Sequence, residues 1–284
     1  MNHDTQRAKA EAFRAMHSGS RILVLPNAWD AMSARVIEEA GARAIATTSA
    51  GVAFSVGYPD GEAMPREEML AAIARIARVV TVPVSADIES GFASDTREVA
   101  ETVRRVIEAG AVGINLEDQI HDGTRSLYDL DMAVQRVRAA REAASSSGIP
   151  IVINARTDVY LLAIGEEDSR FDHAVRRANA YRSAGADCVF IPRVIKPADI
   201  ARIVSALEGP LNLLASPGIP TVAELERLGV ARLSVGTSPT LAAMSTIRKV
   251  AGELLGTGTY ESMFDGAVSY PDANRLMTGR LTTT

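Results

Sequence analysis

The chain has 284 residues, of which 47% are hydrophobic and 23% are charged, and its formal net charge is −5. These ordinary globular values exclude an intrinsically disordered or collagen-like protein. The Lys and Arg residues are scattered and form no basic patch in the sequence, so nucleic acid is not expected as a partner. The length suits either two average domains or one α/β barrel.

Cysteine content and the N-terminal sequence bear on the compartment. Cys188 is the only cysteine, which rules out a disulfide within the chain and is typical of a reducing compartment. The first 19 residues mix acidic and basic side chains without an apolar core, so no signal peptide is expected. No segment approaches the roughly 18 apolar residues of a membrane span. We therefore expect a cytoplasmic protein without a membrane partner.

Short apolar segments alternate with amphipathic helical segments along the whole chain. The apolar segments lack a polar alternate face, which is typical of strands buried on both sides of a parallel sheet. In chain order, the predicted strands are 21–26, 43–48, 82–88, 112–117, 149–156, 187–192, 211–215 and 232–236. The predicted helices between and after them are 31–40, 66–79, 96–109, 132–145, 168–184, 197–207, 222–228 and 241–254.

Eight strand–helix units predict a single (β/α)8 TIM-type barrel in the α/β class. Glycines such as Gly110 and Gly185 recur where a predicted helix ends and the next strand begins, and glycine suits the residue that stops a helix. A doubly wound open sheet is the alternative, but no G-x-G-x-x-G sequence follows the first strand. We assign residues 1–256 to the barrel with an N-terminal helix and residues 257–284 to a C-terminal tail.

Acidic side chains collect at the ends of the predicted strands, where the active site of such a barrel lies. Clustered carboxylates repel one another unless a cation neutralises them, and an all-oxygen set suits a hard ion such as Mg²⁺. Arg156 can then bind a substrate carboxylate or a developing oxyanion. The candidate carboxylates are Asp60, Asp87, Glu89, Glu117, Asp118 and Asp158.

Several candidates have equally good structural interpretations. Asp118 and Asp158 fit helix capping or support of a neighbouring residue as well as they fit a direct role. His121 is either a general acid or a solvated loop residue, and Trp29 either lines the pocket or covers the barrel end. Cys188 begins the sixth predicted strand, at the end of the barrel away from the site, so we interpret it as a core residue.

Six short motifs at successive strand ends resemble the isocitrate lyase/phosphoenolpyruvate mutase superfamily, and the resemblance extends over most of the chain. The motifs are Pro26-Asn27-Ala28-Trp29-Asp30, Thr48-Ser49-Ala50, Tyr58-Pro59-Asp60, Asp87-Ile88-Glu89-Ser90-Gly91-Phe92, Leu116-Glu117-Asp118-Gln119 and Ala155-Arg156-Thr157-Asp158.

The resemblance implies a site for a 2-oxo carboxylate or its enolate bound to Mg²⁺ (or Mn²⁺). It implies that Asp87 ligates the metal directly, that Asp60 approaches the metal and its waters, and that Arg156 stabilises the oxyanion. The metal set is then Asp87, Glu89 and Glu117, and the substrate carboxylate is held by Thr48, Ser49 and Ala50. It also implies a homotetramer, a dimer of dimers, in which the last helix, 241–254, packs against a neighbouring barrel.

Three departures from the family pattern bear on function. Glu89 replaces the more common Asp, and the loop 120–126 lacks the cysteine that isocitrate and methylisocitrate lyases carry as general acid. His121 or a metal-bound water would then supply that proton. Pro192-Arg193 stands where methylisocitrate lyase has Pro-Glu, and Arg193 could contact a second anionic group.

These features predict a Mg²⁺-dependent carbon–carbon lyase or decarboxylase acting on a small 2-oxo or 2-hydroxy carboxylate. The first alternative is a mutase or hydrolase of a phosphonate P–C bond. The second is a carboxylate-binding protein that has retained the ion site without catalysis.

Overall fold

The computed structural model describes residues 2–19 and 21–278, and in them nine parallel strands form one nearly closed barrel surrounded by helices. The order of the strands around the barrel follows the chain, which confirms the predicted TIM-type fold and contradicts a doubly wound sheet. The strands are β1 (Leu23–Leu25), β2 (Asn27–Ala28), β3 (Ile45–Thr47), β4 (Val84–Asp87), β5 (Gly113–Glu117), β6 (Val152–Arg156), β7 (Cys188–Phe190), β8 (Leu211–Leu214) and β9 (Arg232–Ser234).

The ninth strand is β2, a two-residue segment that directly follows Pro26, the last residue of the first predicted strand. The segment before Pro26, β1, pairs with β9, and the segment after it, β2, pairs with β3. Proline has no backbone N–H to donate to a sheet, so it suits the point at which the pairing changes partner. The two ends of the sheet therefore meet within one short stretch of chain.

Eleven α-helices lie in the described residues and cover the barrel. They are α1 (His3–Ala15), α2 (Ala31–Glu39), α3 (Ser49–Ser55), α4 (Arg66–Val79), α5 (Thr96–Glu108), α6 (Leu130–Ser147), α7 (Arg170–Ser183), α8 (Pro197–Ala206), α9 (Val222–Arg227), α10 (Ser238–Gly256) and α11 (Tyr270–Thr278). Gly110 and Gly185 follow α5 and α7 with φ of 98° and 110°, a conformation that few other residues adopt. None of these helices combines the length and the apolar character needed to cross a membrane.

The C-terminal segment folds back onto the barrel. Helix α11 packs against α2, and the Arg35 guanidinium donates hydrogen bonds to the Leu276 carbonyl at 2.9 and 3.1 Å. Helix α10 leaves Leu241 and Ile247 half or more exposed, at 50% and 68%. Exchange of this helix between subunits, the homotetramer and the division at residue 256 stay predictions. Residues 279–284 of the predicted tail lie outside the described part of the chain.

Helix α1 covers the N-terminal end of the barrel and buries His17 just beyond it. The His17 ring packs edge-to-face on Phe13 with 4.8 Å between ring centroids, and its Nδ1 lies 2.9 Å from the Phe13 carbonyl oxygen. Burial and the nearby positive charge of Arg232 lower the pKa of His17 to about 4. His17 is therefore neutral in the folded protein at neutral pH.

This burial predicts an acid-sensitive fold. Between about pH 6.5 and 4 the unfolded chain binds a proton at His17 that the folded chain does not, so stability falls as the pH decreases through this window. The pKa shift of His17 corresponds to a loss of about 3 kcal/mol in the free energy of unfolding once the pH has fallen below both pKa values. Urea unfolding of wild type and His17→Gln at pH 7 and pH 4.5 should show a shallower pH dependence in the variant. An equal slope in both proteins would contradict the assignment, and exposed His3→Gln is the matched control.

Candidate active site

Asp87 ends β4 and is held in a fixed orientation by three hydrogen bonds. Its Oδ2 accepts from the backbone N–H and the hydroxyl of Ser49 at 3.0 and 2.9 Å, and its Oδ1 accepts from Asn115 Nδ2 at 2.9 Å. A carboxylate has about four acceptor positions, so one position on Oδ1 remains. Asp87 is thus oriented to give a single oxygen to a ligand in the barrel mouth.

Thr48, Ser49 and Ala50 lie where β3 runs into the short helix α3. Thr48 caps this helix, and its Oγ1 shares a 3.0 Å hydrogen bond with the Thr237 hydroxyl at the start of α10. The Ser49 N–H, which the resemblance assigns to substrate, donates to Asp87 instead. A Cβ on Gly51 would lie 2.6 Å from Thr240 and 2.9 Å from Trp29, so only glycine allows these elements to pack this closely.

Glu89 points back to the cavity because the chain turns sharply after β4. The backbone of Glu89 is left-handed, with φ of 50°, and its side chain lines the outer cavity. Its Oε2 accepts a hydrogen bond from the Glu62 N–H at 2.6 Å. The Glu62 carboxylate in return accepts from Ser90 Oγ and Phe92 N–H, both at 2.8 Å. These reciprocal bonds join the loop that carries Asp60 to the turn that carries Glu89.

Arg156 lies at the end of β6 within a line of charged groups. Its Nη1 is 2.7 Å from Glu117 Oε2, and its Nε and Nη2 donate to the two oxygens of Asp158 at 2.6 and 2.8 Å. On the other side of Glu117, His121 Nε2 lies 3.0 Å from Oε1. Arg156 therefore uses three of its five N–H groups on neighbouring carboxylates.

The protonation states of this line follow from the neighbouring charges. Burial favours the neutral form of Glu117, but Arg156 and His121 outweigh it and keep its pKa below the ordinary value. Burial would likewise lower the pKa of His121, but the hydrogen bond and charge of Glu117, with Glu89, raise it to about 9. Glu117 is therefore ionised and His121 protonated at neutral pH.

The remaining carboxylates repel one another. Desolvation and the charges of Glu117, Asp87 and Asp60 raise the pKa of Glu89 to about 9. Asp60 keeps contact with solvent, yet loss of water around its carboxyl and the charges of Asp87 and Glu117 raise its pKa too. Such mutual repulsion is what a bound cation relieves.

The donor set fits Mg²⁺. In residues 2–19 and 21–278, no three His, Cys, Asp or Glu side chains come close enough to hold a metal by themselves. Mg²⁺ does not require such a cage, because it commonly binds one or two carboxylates and keeps several waters. The free acceptor position of Asp87, whose charge acts on the nearby Asp60 and Glu89, meets that requirement.

Two adjoining cavities open at this end of the barrel, and Ser49, Asp60, Arg156 and Leu161 line both. The inner cavity has a volume of about 170 Å³ and reaches into the barrel past Asp87. The outer cavity lies below the loop after β5. The inner cavity is also lined by Thr48, Ala50, Ser85, Asn115, Arg232 and Ser234, and the outer cavity by Glu89, Glu117, His121 and Arg125.

Two residues predicted to contact substrate, Arg193 and Trp29, line neither cavity. Arg193 is exposed, on a left-handed backbone with φ of 71°, and only its neighbour Pro192 lines the inner cavity. Trp29 packs behind Gly51 and against the core and lines neither cavity. Contact of either residue with substrate stays a prediction.

The surroundings of Asp118 and Cys188 indicate structural and not catalytic roles. Asp118 is 2% exposed, and its oxygens accept from the Asp158 N–H, Arg177 Nε and Tyr181 hydroxyl at 3.0, 2.7 and 2.6 Å. Cys188 is fully buried, and burial raises its thiol pKa to about 12, so it is an inert core residue at neutral pH.

Comparison with known proteins identifies the family of this chain. A sequence model of the family described as phosphoenolpyruvate phosphomutase matches residues 13–255. The chain belongs to the isocitrate lyase/phosphoenolpyruvate mutase superfamily. It is 30% identical over 279 residues to 2,3-dimethylmalate lyase of Eubacterium barkeri, covering 94% of this chain and 93% of that one.

Two solved structures that are similar to this chain contain oxalate. Oxaloacetate acetylhydrolase in complex with its product oxalate has a TM-score of 0.85 and 26% identity, covering 95% of this chain and 93% of that one. A phosphonopyruvate hydrolase complex with oxalate and Mg²⁺ has a TM-score of 0.83 and 27% identity, covering 94% of each chain. These superfamily relatives are lyases and hydrolases of small carboxylates.

Proposed function

We propose that this protein is a Mg²⁺-dependent lyase that breaks a carbon–carbon bond in a small 2-oxo or 2-hydroxy carboxylate. The observation that carries the proposal is the oriented Asp87 carboxylate, which keeps one free acceptor position beside Arg156 in a cavity of about 170 Å³. This volume is below the roughly 300–1,000 Å³ of sites for drug-sized ligands, so it suits a small acid. The lyase and hydrolase relatives support the same class of reaction.

Asp87, with Glu89 and Glu117 nearby, would hold Mg²⁺ (or Mn²⁺), which stabilises an enolate oxyanion when it is bound. Arg156 is fixed by Asp158 and Glu117, and its two uncommitted N–H groups can bind substrate oxygen. Asp60, with its raised pKa, suits the group that takes a proton from the substrate.

His121 is the proton donor that we assign in place of the absent loop cysteine. It lines the outer cavity, holds a proton at neutral pH, and is oriented by its hydrogen bond to Glu117. A protonated imidazole at this wall can return a proton to an enolate carbon as the carbon–carbon bond breaks. The same loop places Arg125 at the outer cavity, which is the observation that favours P–C bond chemistry on a phosphonate as the second candidate.

The experiment is a screen with Mg²⁺ of oxaloacetate, isocitrate, 2-methylisocitrate, 2,3-dimethylmalate, phosphonopyruvate and phosphoenolpyruvate, with products identified by NMR. We expect carbon–carbon cleavage of one of the carboxylates that stops with EDTA. Arg156→Ala should lose activity by at least about 100-fold, as expected for a group that stabilises transition-state charge. Arg138→Ala, an exposed matched control on α6, should retain it.

Three outcomes contradict the proposal. Turnover of the phosphonates alone would favour the P–C reaction. Mg²⁺-dependent binding of oxalate without turnover of any compound would favour the non-catalytic binding protein. Unchanged turnover in EDTA would contradict the metal requirement.

A further inference from the structure

Arg232 is a buried cation inside the barrel with few partners of its own. It begins β9, is 2% exposed, and lines the inner cavity. Its Nε donates to Ser234 Oγ at 3.2 Å, while its Nη1 is buried and has no hydrogen-bond partner in the described residues. Burial lowers the pKa of Arg232 only to about 10, so the group stays charged at neutral pH.

Two other buried arginines, and the partly buried Arg156, differ from Arg232 in their partners. Arg156 pairs with Asp158 and Glu117, and Arg177 pairs with Asp118. Arg136 also has unpartnered nitrogens, but it donates to two loop carbonyls, stacks on Tyr128 and lines neither cavity. Arg232 forms no ion pair within the described ranges, and its one hydrogen bond goes to a neutral hydroxyl.

An uncompensated buried charge costs several kcal/mol, so its presence requires an explanation. Packing does not supply one, because an apolar side chain of similar size would fill the same space without that cost. Asp87 contributes favourable charge at a distance but does not contact the guanidinium. The remaining compensation can come from an anion in the cavity that Arg232 lines.

Two guanidinium groups line the inner cavity, and they lie at different depths in the barrel. Arg156 is the last residue of its strand, at the mouth, whereas Arg232 is the first residue of its strand, deeper in the barrel. Arg156 has two N–H groups uncommitted, whereas Arg232 has engaged only its Nε in a hydrogen bond. A guanidinium with free N–H groups is the side chain best matched to a carboxylate.

We propose that Arg232 binds a second carboxylate of the substrate in the inner cavity and so selects dicarboxylates over monocarboxylates. The inference rests on the proposed function, because it places the 2-oxo or 2-hydroxy carboxylate of the same molecule beside Asp87 and Arg156. Ser85 and Ser234 line the same inner wall, and Ser85 Oγ is a further buried atom without a partner in the described residues. The cavity therefore offers both charge and hydroxyl donors to this second group.

The test compares two acids that differ only in this second group. 2-Oxoglutarate and 2-oxopentanoate share a 2-oxo carboxylate and chain length, but the first ends in a carboxylate and the second in a methyl group. Calorimetric titration with Mg²⁺ should show that the wild-type protein prefers 2-oxoglutarate by at least about tenfold, the scale of one charge-assisted contact. Arg232→Met should abolish that preference and leave the affinity for 2-oxopentanoate within about twofold.

Arg232→Lys keeps the charge without the planar fork and should retain part of the preference, which keeps the test decisive if Arg232→Met does not fold. Arg138→Met removes an exposed guanidinium on α6, away from both cavities, and should behave as wild type. Equal weakening of both acids by Arg232→Met, or an unchanged preference, would overturn the proposal and assign Arg232 to the barrel interior alone. Failure of the wild-type protein to bind 2-oxoglutarate would overturn this inference alone, whereas the proposed function is overturned by the outcomes given for the substrate screen.

Discussion

Replacing Asp87 by Asn is expected to reduce Mg²⁺ affinity and catalytic efficiency by at least about 100-fold each, since loss of a residue that merely orients a metal ligand already costs 10–100-fold. The substitution removes the negative charge while keeping the shape. It also introduces an amide NH2 group, which is a hydrogen-bond donor. Both oxygens of Asp87 already accept hydrogen bonds, one from Ser49 and the other from Asn115. In either orientation, the new amide nitrogen would face a hydrogen-bond donor.

Titration of Mn²⁺ followed by electron paramagnetic resonance measures this loss directly, since bound and free Mn²⁺ give different signals. Asp4→Asn removes the same charge from an exposed position on α1 and should leave Mn²⁺ binding unchanged. If Asp87→Asn bound Mn²⁺ as tightly as wild type while folding normally, Asp87 would not be the ligand.

Replacing Asp118 by Ala is expected to lower the free energy of unfolding by about 3–5 kcal/mol, the cost of breaking a buried ion pair by removing one partner. Asp118 and Arg177 are 2% and 3% exposed, and the substitution would leave the Arg177 charge buried without its carboxylate. The Tyr181 hydroxyl and the Asp158 N–H would lose their acceptor as well.

Urea denaturation at neutral pH measures this change. Asp122→Ala, in the exposed loop after β5, is the matched control and should alter stability by no more than about 0.5 kcal/mol. A loss below about 1 kcal/mol in Asp118→Ala would contradict a structural role and return Asp118 to the candidates for direct participation in the site.

Much of the fold could be predicted because its signals are local. Apolar strands, amphipathic helices and the glycines that end them each occupy a few consecutive residues, and the eight predicted strands coincide with observed ones to within a few residues. Helix α3 was missed because its seven residues, rich in Ala, Gly and Ser, show no amphipathic period. The break at Pro26 was missed because a change of pairing partner depends on strands distant in sequence.

The candidate site also contains residues that local sequence signals reveal and residues that they do not. The carboxylates at strand ends stand out against apolar strands, so Asp87 and Glu117 could be selected from sequence. Glu62 could not, because its role arises only where two loops meet, although its position directly after the Pro-Asp-Gly turn was an available signal. Arg232 is the first residue of a predicted strand, where a charged side chain next to a largely apolar segment was the available signal.

Thr48, Ser49 and Ala50 illustrate a further limit of motif reasoning. The residues lie at the cavity, as expected for substrate contacts, but a motif does not report which donor is already engaged. Ser49 directs both its N–H and its hydroxyl to Asp87, so in this chain it orients the proposed metal ligand. Arg156 is similarly engaged with Asp158 and Glu117, which leaves fewer of its donors for substrate.

We propose that a divalent cation and a small carboxylate bind together at the mouth of the barrel beside Asp87. A crystal structure with Mn²⁺ and oxalate, with the ion located by its anomalous scattering, tests it most directly. We expect one strong anomalous peak within about 2–2.3 Å of an Asp87 carboxylate oxygen, near the 2.0–2.1 Å of Mg²⁺ sites, with oxalate bound to the same ion. A peak at any other carboxylate with Asp87 uninvolved, or oxalate bound in the cavity without an ion, would contradict the proposed metal site.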